Sequence, residues 1–179
     1  WDAGAPVVVD EQVRSWLESR ALDPNRICNL DLARALPSGS LPGWARFCGK
    51  SWAESGHRLI LPAVDHDGVV RSLRARCVLA DVPPGSKSAS PAGYSVSGLL
   101  YACPLATDLL AGVEVESPQL VLTEGEPDYL TYAGTPKWAT AGLWSGSWKQ
   151  GFADSTPDHA TVVMALHADD AGAKYAANI

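Results

Sequence analysis

Two continuous apolar runs in the last third of the chain each end at acidic residues. Leu120–Leu122 precedes Glu124, and Val162–Leu166 precedes Asp169. Unbroken apolar runs of this kind are typical of parallel strands that are buried on both faces of a sheet. A helical stretch follows each acidic turn, and Pro127 suits the first turn of the first helix. The pattern predicts an α/β domain with a mostly parallel sheet.

The beginning of the chain has a helical pattern instead. Asp10 is suited to cap a helix in which Trp16 and Leu17 lie on the apolar face. Asp23 and Pro24 begin a second, shorter helix. The first part of the chain is therefore expected to contribute helices before any sheet is completed.

A β-hairpin is predicted over residues 57–79. Two largely apolar stretches flank the turn Asp65–Gly68, which ends in glycine as tight turns often do. On the second strand, Arg74 and Arg76 have the same parity, so both side chains project from one face. Helices followed by a hairpin predict an α+β subdomain ahead of the α/β domain.

The composition is that of a globular protein, with 46% hydrophobic and 19% charged residues among 179. No apolar run approaches the roughly 20 residues that span a bilayer, and no signal-peptide pattern is visible. We therefore expect a cytoplasmic protein with no membrane partner. Because Trp1 is not an initiator methionine, the chain is expected to be a fragment or a processed form. The cysteines lack a C-x-x-C spacing, so a zinc ribbon is not encoded and reduced, mostly buried thiols are expected: Cys28, Cys48, Cys77 and Cys103.

The charge is distributed unevenly along the chain. Residues 1–103 contain 11 Lys and Arg against 10 Asp and Glu, whereas residues 104–179 contain 3 against 10. The net charges are thus +1 and −7, which add to the overall −6. An acidic metal site beside a basic groove would produce this asymmetry, and ordinary surface composition would explain it nearly as well.

The two acidic turns are candidates for a metal site. In an open parallel sheet, the carboxyl ends of the strands line one edge, and ligands bind there. Glu124 and Asp169 would both lie on that edge, where carboxylate oxygens suit Mg²⁺ or Mn²⁺. Alternatively, each acid caps the helix that follows it, favoured by the helix dipole. The residues alone leave both interpretations open.

The two turns together resemble the Toprim domain found in DnaG-type primases, topoisomerases and some nucleases. Glu124–Asp128 matches its Glu-Gly-x-x-Asp motif, and His167–Gly172 matches its Asp-x-Asp motif, which is commonly followed by Ala-Gly. The departure is His167, which stands where the family usually has the first aspartate.

The resemblance implies a role for each motif residue. Glu124 and Asp169 would be catalytic and would bind the metal, Glu124 in general acid/base or metal-linked work. Asp170 and His167 are further candidate metal ligands, and the supporting residues would be Asp128, Gly125 and Gly172. Imidazole suits Mn²⁺ or Zn²⁺ better than Mg²⁺, so His167 would bind metal, shift the metal preference or mark a weakened site. A histidine at a strand end is otherwise a satisfied hydrogen-bonding residue.

The hairpin narrows the resemblance to the DnaG-type primase core. The matching segments are Arg58–Pro62, Asp67–Val70, Arg76, Ser90-Pro91 and Leu100-Tyr101. By motif position, Arg76 and Lys87 would lie along the groove for nucleic acid and nucleotide, together with Arg74. The sequence departs from the family at Arg74-Ala75, where Gly-Gly is usual, at Ser97-Gly98, where a basic residue is usual, and in a longer loop before Lys87.

A glycine-containing turn over residues 142–148 resembles the turn that follows the second Toprim strand. Gly146 and the neighbouring serine hydroxyls would approach a phosphate there. A plain turn between a strand and a helix explains the same residues.

The resemblance implies an α+β primase-core subdomain over residues 1–112 and a Toprim domain, Rossmann-like with a mostly parallel sheet, over residues 113–179. The expected function is that of a DNA primase from a phage or mobile element. This nucleotidyltransferase of DNA replication would use Mg²⁺ or Mn²⁺ and nucleoside triphosphates to synthesise RNA primers on a single-stranded DNA template. Its expected partner is a replicative or phage helicase, on the same chain or a separate one. Because the third acidic motif of the family would follow Ile179, we expect the fragment to hold only part of the active site and to be inactive alone.

Two other interpretations remain open. One is a Toprim nuclease or a topoisomerase-like phosphoryl-transfer protein, against which the basic hairpin argues. The other is a non-catalytic nucleic-acid-binding module with a degenerate metal site, which His167 would permit.

Overall fold

The computed structural model describes residues 1–179 except Pro84, Ser117, Pro136, Ser145–Ser147 and Asn178. Contacts group the chain into two compact units. The first consists of Trp1–Pro62 and Ser72–Val96, and the second of Ala63–Arg71 and Ser97–Ile179. Within the described residues, no helix is both long enough and apolar enough to cross a membrane.

The first unit combines short helices with strands of a five-stranded sheet. Its strands are β1 (Ala5–Pro6), β2 (Arg34–Ala35), β3 (Arg46–Phe47), β4 (Lys50–Ser51), most of β5 (His57–Val64) and β6 (Val70–Cys77), and β7 (Ser88–Ala89). Its helices are a 3₁₀ turn (Val7–Val9), α1 (Glu11–Ser19) and α2 (Pro24–Asn29). The sheet order is β1-β2-β5-β6-β7, and β3 and β4 form a separate two-stranded ribbon. The predicted helices and hairpin are confirmed.

Helix α1 begins where the sequence predicts because Asp10 caps it. The Asp10 carboxylate accepts hydrogen bonds from the main-chain N–H groups of Gln12 and Val13, both at 3.1 Å. Its second oxygen accepts two hydrogen bonds from the Arg58 guanidinium, at 2.9 and 2.6 Å. Burial alone would raise the Asp10 pKa, but these hydrogen bonds outweigh it and lower the pKa. One carboxylate therefore joins the start of α1 to β5.

The core of the first unit is aromatic and aliphatic. Trp52 is 1% exposed and meets Trp44 edge-on, with ring centroids 5.5 Å apart. The buried members of this cluster are Leu36, Ala45, Trp52, Ile60, Ala75 and Ala89. This packing fixes the sheet that carries the predicted basic residues on β6.

The second unit is an α/β layer built on a mixed sheet. Its strands are β8 (Tyr101–Ala102), β9 (Gln119–Glu124), β10 (Ala139–Leu143) and β11 (Thr161–Ala165). Its helices are α3 (Pro104–Leu110), α4 (Gly125–Ala133), α5 (Gln150–Ser155) and α6 (Asp170–Ala176). The sheet order is β11-β9-β10-β8, in which β11, β9 and β10 are parallel and β8 is antiparallel to β10. The mostly parallel sheet is confirmed.

Strand β11 differs from its prediction. Leu120 and Leu122 of β9 are fully buried, as expected for a strand with neighbours on both sides. Val162, Val163 and Met164 of β11 are instead 41%, 43% and 46% exposed. The prediction that β11 is buried on both faces is therefore wrong. The strand lies at the edge of the sheet, where it pairs with β9.

The contacts group residues 97–112 with the second unit rather than with the helical start of the chain. Strand β8 pairs with β10, and the hairpin tip joins the same unit through an antiparallel bridge between Val64 and Leu100. The predicted domain boundary at residues 112 and 113 stays a prediction, while the compact units divide elsewhere. All four cysteines carry free thiols; Cys77 and Cys103 are buried, and Cys48 is exposed.

Replacing Asp10 tests its double role. We expect Asp10→Ala to lower the free energy of unfolding by about 2 kcal/mol, because a helix cap and a partly buried ion pair are both lost. Asp10→Asn keeps the cap and should lose only about 1 kcal/mol. Urea unfolding followed by circular dichroism measures both, with Glu18→Ala on the exposed face of α1 as the control. Equal losses for Asn and Ala would contradict the capping role.

Candidate active site

Glu124 is the last residue of β9, at the carboxyl end of a strand with parallel neighbours on both sides. Helix α4 begins at the next residue, Gly125, whose φ of +73° places it in the left-handed region that glycine adopts without strain. The Glu124 side chain makes no capping hydrogen bond to α4. Glu124 thus occupies the N-cap position of α4 without capping the helix through its side chain, and its carboxylate is turned to other partners.

The Glu124 carboxylate is buried and only partly satisfied. The residue is 7% exposed, and its Oε2 accepts a hydrogen bond from the main-chain N–H of His167 at 3.0 Å. Its Oε1 is buried with no hydrogen-bond partner among the described residues. A buried carboxylate oxygen without a partner is costly, so this atom is the strongest indication of a ligand site in the second unit.

His167 bridges two carboxylates of the first acidic motif. Its Nδ1 lies 3.2 Å from Oε2 of Glu124, and its Nε2 lies 3.0 Å from Oδ2 of Asp128. The hydrogen bond with Asp128 raises the His167 pKa; burial opposes this slightly, and the nearby charges of Glu124, Asp128 and Asp169 add to the rise. The two acids on either side of the ring thus favour its protonated form.

Asp169 caps α6, as the helix-capping interpretation predicted. Its Oδ1 accepts a hydrogen bond from the main-chain N–H of Gly172 at 2.9 Å, in the first turn of α6. Asp170 is the first residue of α6, and both aspartates are exposed. An open depression of about 560 Å³ lies beside them, lined also by His167 and Ala173.

The predicted ligands are only partly brought together. His167 joins Glu124 and Asp128, while Asp169 and Asp170 begin the neighbouring helix. In the part of the chain that the structure describes, no group of three or more His, Cys, Asp or Glu side chains is arranged to hold a metal. The assignment of all four predicted ligands therefore stays a prediction.

Gly172 permits the close approach of α6 to the His167 main chain. A Cβ at this position would collide with the carbonyl oxygen of His167. The glycine of the second motif therefore has a steric role, because it lets the residue that binds Glu124 lie against the first turn of α6.

A buried aromatic cluster supports α4 behind the site, through contacts that were not predicted from the sequence. Glu126 is 4% exposed and accepts a hydrogen bond from the Tyr101 hydroxyl at 3.1 Å. Trp144 stacks on Tyr101 with ring centroids 5.5 Å apart, and a Cβ at Gly142 would collide with the Tyr101 ring. The hydrogen bond between a strand tyrosine and the second glutamate of the first motif becomes visible only once β8 is paired with β10.

The predicted basic residues lie in the first unit. Arg76 pairs in register with Ser88 on β7, and the Cys77 N–H donates to the carbonyl of Lys87 at 2.9 Å. The structure thus places Arg76 and Lys87 at adjacent positions of paired segments. The Arg76 guanidinium lies 5.4 Å from the ring centroid of Trp16 on α1, within cation–π range. The nucleic-acid groove itself stays a prediction, and the Gly146 turn falls on Ser145–Ser147, outside the described residues.

Comparison with known proteins gives similar structures but no similar sequences: no protein-family model matches the chain, and no curated protein matches it. A structure of the DnaG catalytic core matches with a TM-score of 0.63 and 19% identity, over 97% of this chain and 59% of that one. A DnaG primase catalytic domain bound to single-stranded DNA matches with a TM-score of 0.63 and 18% identity, over 98% and 61%. The Aquifex aeolicus primase, comprising zinc-binding and RNA polymerase domains, matches with a TM-score of 0.64 and 17% identity, over 96% and 46%.

These comparisons concern the fold. The structural neighbours of the chain are DnaG primase catalytic cores, and the resemblance extends over nearly its whole length. The chain itself spans only about three fifths of the first two matched structures. The resemblance expected from the motifs is therefore confirmed as a shared mixed α/β fold.

The His167 bridge predicts a pH-dependent stability. A histidine whose pKa is raised on folding adds stability below its ordinary pKa of 6.5, and this is lost as pH rises through the raised folded-state pKa. Since the side chain is 59% exposed, the effect should stay below about 1 kcal/mol. Unfolding of the wild type and His167→Ala from about pH 5.5 to about pH 9 should show a difference that shrinks as pH rises. The exposed His159, replaced by alanine, is the control, and a pH-independent His167 difference would contradict the bridge.

Proposed function

We propose that the chain is a catalytic-core fragment of a DNA primase that synthesises RNA primers on single-stranded DNA in a metal-dependent, template-directed reaction. The fold supports this, because DnaG catalytic cores match nearly the whole chain and one of them was solved bound to single-stranded DNA. The observation that favours a working site is the buried Oε1 of Glu124, which has no partner among the described residues at the end of a parallel strand.

The residues at this edge fit a divalent cation by their donor type. Glu124 offers a buried oxygen without a partner, and Asp128 lies one helical turn further along α4. Mg²⁺ typically needs only one or two protein carboxylates, with water and phosphate oxygens completing its shell. Glu124 and Asp128 would hold Mg²⁺ or Mn²⁺, with Asp169 and Asp170 as the next acids available. When bound, the ion would lower the pKa of the attacking 3′-hydroxyl and neutralise charge at the phosphorus and the leaving pyrophosphate.

The basic residues of the first unit would bind phosphates. Arg74, Arg76 and Lys87 suit the template backbone and the incoming nucleoside triphosphate, because charged donors bind phosphate oxygens strongly. The ring of Trp16 holds the guanidinium of Arg76 from one side. A helicase, on the same chain or a separate one, and a phage or mobile-element source belong to the same proposal.

A second candidate function is a non-catalytic module that binds single-stranded nucleic acid. The bridge of His167 between Glu124 and Asp128 favours it, because the ring holds an oxygen of each acid that a metal would need. The described residues also include no three-ligand metal group.

Primer synthesis on single-stranded DNA, with all four nucleoside triphosphates and Mg²⁺ or Mn²⁺, separates the two functions when it is measured on a longer chain that includes the acidic motif expected after Ile179. We expect Glu124→Gln to lower the rate by at least about 100-fold while single-stranded DNA affinity stays within about twofold. The matched control is Glu114→Gln, an exposed glutamate outside the site. DNA binding without synthesis in the wild type would favour the binding module, and an unaffected Glu124→Gln variant would contradict the assignment of the site.

A further inference from the structure

We propose that His167 is a positioning residue that keeps the site closed: its ring holds the carboxylates of Glu124 and Asp128, and a divalent cation binds them both only after the ring has moved away. The inference rests on the proposed function, since it concerns the metal expected at Glu124.

His167 contacts Glu124 through both its main chain and its ring. The main-chain N–H of this residue holds Oε2 of Glu124 at 3.0 Å, and the ring Nδ1 approaches the same oxygen at 3.2 Å. The first contact belongs to the backbone and is independent of the side chain. Removal of the ring therefore leaves Glu124 oriented while it frees space beside its carboxylate.

The ring has a further contact on its other side. Nε2 of His167 lies 3.0 Å from Oδ2 of Asp128, so the two ring nitrogens occupy one oxygen of each acid. A cation that bridges Glu124 and Asp128 would lie between the two carboxylates, where the ring lies. The ring and the cation therefore compete for this position.

The ring is able to leave. The His167 side chain is 59% exposed, so its rotation toward solvent requires no repacking of the core. The main chain is fixed instead, because Gly172 lets α6 lie directly against the His167 carbonyl. The main chain of His167 is therefore held in place while its ring is able to rotate away from the two carboxylates.

Mn²⁺ binding measured by calorimetry at one fixed pH tests this inference on the whole chain. We expect His167→Ala to bind Mn²⁺ at least about tenfold more tightly than the wild type, because the competing contacts of the ring are gone. A residue with a merely structural role would not give tighter binding when it is removed. His159→Ala, at an exposed histidine outside the site, should leave the affinity unchanged.

The double variant Glu124→Gln, His167→Ala locates the effect, since the gain in affinity should disappear when the carboxylate is removed. Weaker binding by His167→Ala would overturn the inference and make the ring a metal ligand. Unchanged binding would overturn it too, because the ring would then not compete with the ion. Primer synthesis is scored separately, on a longer chain that includes the acidic motif expected after Ile179. Tighter Mn²⁺ binding without synthesis by that longer chain supports the closed site and contradicts the primase, and synthesis without tighter binding supports the primase and contradicts the closed site.

Discussion

The burial of one carboxylate at the end of β9 is the constraint on which the rest of the second unit depends. A charged group that is 7% exposed must be paired or hydrogen-bonded, and Glu124 obtains its described partners from a loop 43 residues further along the chain. The chain must therefore bring the end of β11 beside the end of β9, which parallel pairing of these strands achieves. The pairing of β11 with β9 thus sets both the sheet order and the position of the residues at the site.

The glycines near the site have distinct steric reasons for being there. Gly125 turns the chain into α4 directly after the buried acid, at a φ that other residues adopt only with strain. Because Gly172 has no side chain, α6 lies directly against the carbonyl of His167. For the same reason, Gly142 lets the Tyr101 ring pack against β10. A hydrogen bond from that tyrosine to Glu126 then secures the first turn of α4 from behind. The first acidic motif therefore divides into an acid that faces the site and an acid that faces the core.

Local patterns predicted several elements of the fold, but not its short strands β1 to β4, β7 and β8. The cap at Asp10, the hairpin around Asp65–Gly68 and the strand before Glu124 depend on neighbouring residues, and each was found where the pattern placed it. Contacts between distant residues were not predictable. Whether Asp169 is a ligand or a cap depends on where α6 begins, and the exposure of β11 depends on which elements cover the faces of the sheet.

The same distinction applies to the site. Its two acidic turns were visible in the sequence, and their position at strand ends follows from parallel pairing. The partners of His167 were not visible, because they come from a turn and a helix some forty residues earlier in the chain. The departure from the family motif drew attention to His167, and only the geometry gave this residue two carboxylate partners.

Crystal structures of the chain with and without Mn²⁺ would test the closed site most directly. In metal-free crystals we expect the His167 ring to lie between Glu124 and Asp128. In crystals with Mn²⁺ we expect an anomalous peak at an ion bound by both carboxylates, with the ring turned toward solvent. A ring that already points away in the metal-free crystals, or an Mn²⁺ ion coordinated by a nitrogen of His167, would contradict it.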